Sequence, residues 1–302
     1  MPVDTGTDAI DQVAPEVYDD VARTVDSSSP DAIAESLANN VSLVVPTSGS
    51  EPVELSDARS GLNLNVTLPT DIHGAVAQDG ENGTIEYVGE TTTATVVPKN
   101  DGSVQFVTTI ADASAPIEYK YTFDLPEGAQ IVLPDGDTAP VILDASGGFL
   151  AGIAPAWARD ANGVDVPTRY VLDGSAVTQV VEHDAPGVAY PVVADPWLGI
   201  PLIQAWGWTS EGGGWRMNST PTPWSRSQNA VTASTYWMAI GYAGWDELAN
   251  MQNTTQRARM NVSMQQQHVC HQGFASADPE WNVEGYKAAR GDIGGWISTH
   301  CN

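Results

Sequence analysis

The chain has 302 residues, 12 basic against 38 acidic, a formal net charge of −26 and 42% hydrophobic residues. The apolar content excludes wholesale disorder. No apolar run approaches the roughly 20 residues that cross a bilayer as a helix, and the charge excludes binding of nucleic acid over the whole surface.

Charge is unevenly placed. Residues 1–197 hold six basic and 31 acidic residues, and residues 198–302 hold six and seven. Eight of the ten tryptophans lie at or beyond Trp206, and both cysteines, Cys270 and Cys301, lie in the same stretch. These steps predict an α+β protein of two domains: a helical arm over residues 1–40, an acidic β-rich domain over 41–197, and a small α+β domain over 198–302.

In chain order, Asp8 as a cap with Ile10, Val13, Val17 and Val21 predicts a first helix, and Ile33 and Leu37 predict a second over residues 31–40. From Val41 the period changes to two. Residues 62–68, 92–97 and 117–123 alternate as strands. Turn signals at Asn100-Asp101-Gly102, Pro134-Asp135-Gly136 and Asn162-Gly163 separate such runs. Many short strands with no helix between them predict an antiparallel, sandwich-like domain. His73 and His183 stand alone there and read as structural or surface residues. Pro191 and Pro196 bracket a stretch expected to stay extended and reachable, so Ala194, Asp195, Pro196 and Trp197 form the expected processing region, with cleavage between Asp195 and Pro201.

In the last domain, Trp206-Gly207-Trp208, Gly212-Gly213-Gly214 and Trp215 predict a hairpin with a loose turn. Residues 230–251 and 254–274 read as helices, and residues 281–302 as short helical pieces broken at Gly291 and Gly294-Gly295. Two cysteines in one small domain predict a Cys270–Cys301 disulfide, with two separate buried thiols as the alternative. His268, His271 and His300 lie beside them, but the spacing fits no usual zinc pattern, and neither metal nor cofactor is expected.

The opening residues carry neither a basic nor an apolar stretch, so no signal peptide is read there. Scarce lysine, the Asp-, Thr- and Asn-rich surface and the paired cysteines nonetheless point to a secreted, extracellular protein.

A disulfide at Cys270 would fix the backbone of His271, and a fixed histidine beside a carboxylate suits a general base. Glu284, Asp246 and Glu247 are the available carboxylates, and Arg226 and Arg290 suit an anionic group. The candidate catalytic set is His271, Glu284, Arg290 and Arg226, matching hydrolysis of a phosphate-bearing or glycan envelope substrate. The structural alternative has His271 and Glu284 orienting a small core, with Arg290 paired to Glu284. Ser225 and Ser263 lack the Gly-x-Ser-x-Gly elbow of a serine nucleophile. Trp206, Trp208, Trp215 and Trp224 suit sugar stacking or a membrane interface, or else the core of a domain poor in aliphatic residues.

Two stretches carry resemblances. Ala156-Trp157-Ala158-Arg159-Asp160, Val166-Pro167-Thr168 and the run from Tyr190 to Trp197 resemble the end of an amino-terminal leader or pro-region domain of secreted actinobacterial proteins. That resemblance implies a downstream domain that carries the activity. Residues 204–302 are similar to the domain of unknown function 2599, through Pro221-Thr222 with Arg226, Gly244-Trp245-Asp246-Glu247, Ser263-Met264-Gln265-Gln266-Gln267, Cys270-His271, Trp281-Asn282-Val283-Glu284 and Cys301-Asn302. This family implies export and brings no activity with it.

The resulting expectation is a secreted proprotein whose C-terminal domain is released as an antibacterial or envelope-directed effector. The alternatives are a non-catalytic cell-wall or glycan-binding module and a structural surface protein. The expected partner is an envelope component (glycan, peptidoglycan or a lipid-linked anionic group), met through Arg226, Arg257, Arg259 and Arg290. The acidic domain would restrain or carry the effector.

Overall fold

A computed structural model describes residues 6–230 and 235–301. It is β-rich, with three antiparallel sheets, few helices and one disulfide. The first sheet has eight strands, running from Thr24–Asp26 at one edge to Thr168–Asp173 at the other. The second has ten, with Val104–Ile110 and Thr92–Pro98 near its centre. Period-two alternation in Val53–Asp57 and Glu118–Asp124 turns one face of the first sheet inward. There Leu55, Tyr119 and Tyr121 meet Tyr87, Val96 and Phe106 of the second sheet in one continuous core. His183 is fully buried and hydrogen-bonded at both ring nitrogens, 3.0 Å from the Tyr190 hydroxyl and 2.9 Å from the Pro116 carbonyl.

The arm differs from its expectation. Helix α1 is only Gly6–Val13, followed by a short 3₁₀ turn at Pro15–Tyr18. It is held firmly: Ala9, Ile10 and Val13 pack on Val97, Val107 and Val193, and the Thr7 amide donates to Glu86 at 2.7 Å. Residues expected as a second helix form strand Ala32–Ala38 instead, paired to Val41–Pro46. Leu37 is 75% exposed, so the four-residue spacing of Ile33 and Leu37 never marked a buried face. Asn39 and Asn40, both with positive φ, make the tight two-residue turn between these strands.

The reachable linker is also corrected. Strand Val192–Asp195 lies between Thr108–Ile110 and Trp157–Arg159, and strand Trp197–Gly199 pairs on both sides. Ala194 and Asp195 are fully buried. Each proline sits outside these strands, where no ladder donor is needed, so the prolines punctuate the pairing without preventing it.

The third sheet is hairpin Ile203–Glu211 and Gly214–Pro221 with strand Trp281–Glu284. Gly212 and Gly213 at positive φ close the hairpin as a tight turn rather than a loose one. Helices α2 (Pro223–Ser227), α3 (Trp237–Asn250), α4 (Thr254–Arg257), α5 (Val262–Phe274) and α6 (Ile293–Ile297) complete this part. The single helix expected over 254–274 is two helices, because Asn253 and Asn261 each cap a new start. Of the helix expected over 230–251, residues 231–234 lie outside the described residues and the rest begins at Trp237. The tail expected to be all helical pieces opens with a strand, and Gly294-Gly295 lie inside α6 rather than breaking it. Gly241 and Gly244 weaken α3 on propensity, yet they let α5 approach: a Cβ on Gly241 would lie 3.1 Å from Val269 Cα.

Candidate functional site

His271 lies on α5 and Glu284 ends the third strand of the small sheet. Gln267 ties them together. Its carbonyl is 2.8 Å from His271 Nδ1, and its side-chain amide accepts from the Glu284 amide at 3.0 Å and donates to the Glu284 carbonyl at 3.0 Å. The His271 ring is almost fully buried against Trp281, and that burial holds its pKa below the ordinary value although Glu284 and Asp278 pull it upward. A histidine that resists protonation and lies below the surface is poorly placed to shuttle protons to a substrate. Glu284 pairs with Lys287 at 3.1 Å, not with Arg290.

Arg290 is held by other partners. Its guanidinium lies 4.4 Å over the Trp296 ring and donates to the Gly295 carbonyl, and its backbone is clamped by the Gln266 amide. Arg226 is on α2, in the seam with the large sheets. Among the described residues no hydrogen bond or ion pair joins Arg226 or Arg290 to His271 or Glu284. The four tryptophans divide: Trp224 is fully buried, Trp206 and Trp208 are half-buried against a second apolar cluster, and Trp215 is 39% exposed beneath the Arg259 guanidinium. Ser225 donates its hydroxyl to Gln272 at 3.1 Å. Cys270 and Cys301 form the disulfide.

His268, one turn before His271, stands out in the sequence only as a zinc ligand, and its spacing does not fit one. It is completely buried between Trp245 and Trp281, and neither ring nitrogen has a hydrogen-bond partner. Burial holds its pKa down to about 3, with His271 adding to the effect.

The strongest convergence lies at the seam. Thr222 caps α2 and donates its hydroxyl to the Pro201 carbonyl at 3.0 Å, which aims Trp224 back at the large sheets. The Trp224 ring sits on two glycines. A Cβ on Gly199 would lie 2.0 Å from Trp224 Cδ2, and one on Gly152 would lie 3.2 Å from the ring edge. Its indole N–H donates to the Trp197 carbonyl at 3.2 Å. The second apolar cluster runs across this seam, from Val141, Leu143 and Ala154 to Leu202, Trp224 and Ile240.

A polar clamp lies beside it. Arg59 donates to Glu247 at 2.9 Å, to the Ile203 carbonyl at 3.3 Å and to Asn39 at 2.7 Å. Glu247 also accepts from the Leu202 amide at 2.8 Å. Burial pushes the Glu247 carboxyl up to about 7 against the opposing pull of that amide and of Arg59. No sequence signal marked Arg59 or Trp224 as partners of residues more than 20 positions away, because their pairing exists only in the folded chain.

Residues 203–302 match a family model described as Protein of unknown function (DUF2599). No curated protein matches the chain.

Proposed function

We propose that the chain is an exported carrier and effector in one molecule. Residues 6–200 form the β-rich carrier. Residues 203–302 form an envelope-directed effector that acts when it leaves the carrier. The observation that carries this reading is the seat of Trp224, fully buried across the seam on Gly152 and Gly199. The carrier thereby covers an apolar face of the C-terminal part that would otherwise meet water.

The charge step supports the same division. The carrier holds most of the negative charge, which repels anionic envelope polymers within about 8–10 Å at physiological salt, and the nearly neutral C-terminal part escapes that field on leaving. The effector acts by binding a glycan or lipid-linked anionic group, a reading supported by the burial of His271 and by the lack, among the described residues, of any bond from Arg226 or Arg290 to it. Release begins with opening of the seam, because Ala194, Asp195 and Trp197 are held in paired strands in the closed form.

The test is a full-length Gly199→Val chain, whose new side chain cannot coexist with Trp224 in its seat. It should bind bacterial envelope preparations more tightly than the parent at low salt, and the gap should shrink as salt rises. Equal binding by the two, with circular dichroism unchanged and Trp224 displaced, would refute the proposal.

A further inference from the structure

We propose that a second cleft at the seam binds a sugar acid, a single pyranose-type ring carrying one carboxylate. The cleft holds about 470 Å³ and is walled by the 3₁₀ turn after α1, the second sheet and α2. Because it needs α2 in place, it exists only while the two parts are joined, and the proposal does not depend on what the C-terminal part does after leaving.

The cleft is lined by four carboxylates and three cations, and the one cation left without a partner among the described residues marks where a single negative charge would be held. Arg159 is paired with Glu16, and Lys99 donates to the carbonyls of Val17 and Asp19. Asp101 accepts from the Ser103 amide at 2.9 Å. Arg226 alone among these cations has no ion-pair or hydrogen-bond partner for its guanidinium among the described residues, and its Nε is shut off from solvent. A guanidinium fork left open at the wall of a cleft suits one carboxylate, held by two parallel hydrogen bonds.

The remaining walls identify the body. Trp157 and Trp197, both half-buried, line the cleft, and indole surface suits a ring, although the Arg159 guanidinium already lies 5.2 Å over that of Trp157. Asp19 and Asp20 are exposed acceptors at its rim, matched to hydroxyl donors. The same carboxylates repel a polyphosphate or any densely charged anion. A ring with hydroxyls and a single negative charge meets all three features together.

The probe is D-glucuronate added to the full-length protein, followed by the indole N–H signals of Trp157 and Trp197, assigned through single Trp→Phe variants. Both signals should shift saturably, with a dissociation constant on the order of 1 mM for a ligand of this size. Methyl glucoside, lacking the carboxylate, should bind about tenfold more weakly or worse, and Arg226→Gln should weaken glucuronate by a similar factor. The thermal midpoint of unliganded Arg226→Gln should equal that of the parent, because the guanidinium has no partner to lose. Absence of any shift at these signals would overturn the proposal. So would equal binding of N-acetylglycine, which makes the site a general carboxylate site, or a lowered midpoint in the variant, which makes Arg226 structural.

Discussion

The Arg59 guanidinium donates to the Glu247 carboxylate at 2.9 Å, joining the turn after strand Val53–Asp57 to helix α3 across 188 positions of sequence. The same guanidinium reaches the Ile203 carbonyl where the small sheet begins, so one side chain ties both the helix and the hairpin to the turn after strand Val53–Asp57. Its removal leaves Glu247 without its cation in a largely buried position. Arg59→Ala should therefore loosen the seam by about 2 kcal/mol, a value reduced from that of fully buried pairs because both side chains keep some exposure. Chemical denaturation followed by tryptophan fluorescence measures this, and an unchanged midpoint would remove the clamp from the account.

Glu247 also sets a pH dependence. Its folded pKa is raised to about 7 from 4.5, so its contribution to stability is fully present below 4.5 and is lost as pH rises through 7. Glu247→Gln removes that titration. The parent should lose stability relative to the variant between pH 4.5 and 7, read as a changing difference in thermal midpoint. A constant difference across the window would show that the carboxyl titrates normally.

His268 acts in the opposite direction. Its folded pKa is depressed to about 3, below the unfolded value near 6.5, so stability is intact above pH 6.5 and falls as pH drops toward 3. The slope from this one group is about 1.4 kcal/mol per pH unit within that window. His268→Leu removes an unpartnered buried ring and should flatten the acid limb while costing little at pH 7.5. An acid limb as steep as the parent's would assign the loss to other groups.

The disulfide joins residues 31 positions apart, and in the loop-entropy model its removal costs about 3–4 kcal/mol. Paired Cys270→Ala and Cys301→Ala substitutions should lower the stability of α5 and of the turn after α6, which it ties together, and leave protection of the two large sheets unchanged. Hydrogen exchange resolved by peptide checks both halves of that statement.

Much of this fold was legible in the sequence where the signal was local. Alternation marked strands Asn63–Thr67, Thr92–Pro98 and Glu118–Asp124 within a residue or so of their ends. The hairpin with its glycines was legible for the same reason, and the disulfide was legible because the two cysteines fall in one small domain. Strand Ala32–Ala38 was not, because its alanines fit helix and strand alike and its tight turn depends on two left-handed asparagines. Nor was strand Val192–Asp195, whose flanking prolines read as a linker until its partners, Thr108–Ile110 and Trp157–Arg159, were in view. The candidate site was legible only as residue types. His271 and Glu284 do share Gln267, but the positions of Arg226 and Arg290 depend on packing that no spacing along the chain encodes.

The central claim is that the C-terminal part is held in a seat from which it can lift while the carrier stays folded. Native-state hydrogen exchange of the full chain at increasing denaturant tests this most directly, with the Trp224→Ala variant beside the parent. Filling the Trp224 seat with alanine should cost about 3–5 kcal/mol. The account predicts that peptides covering α2, α3 and the Leu202–Ile203 junction open together in a step below global unfolding. In the variant that step should come earlier, while strands Val104–Ile110 and Glu118–Asp124 exchange as in the parent. A single event in which all peptides open together, shifted equally throughout the chain by the variant, would contradict it.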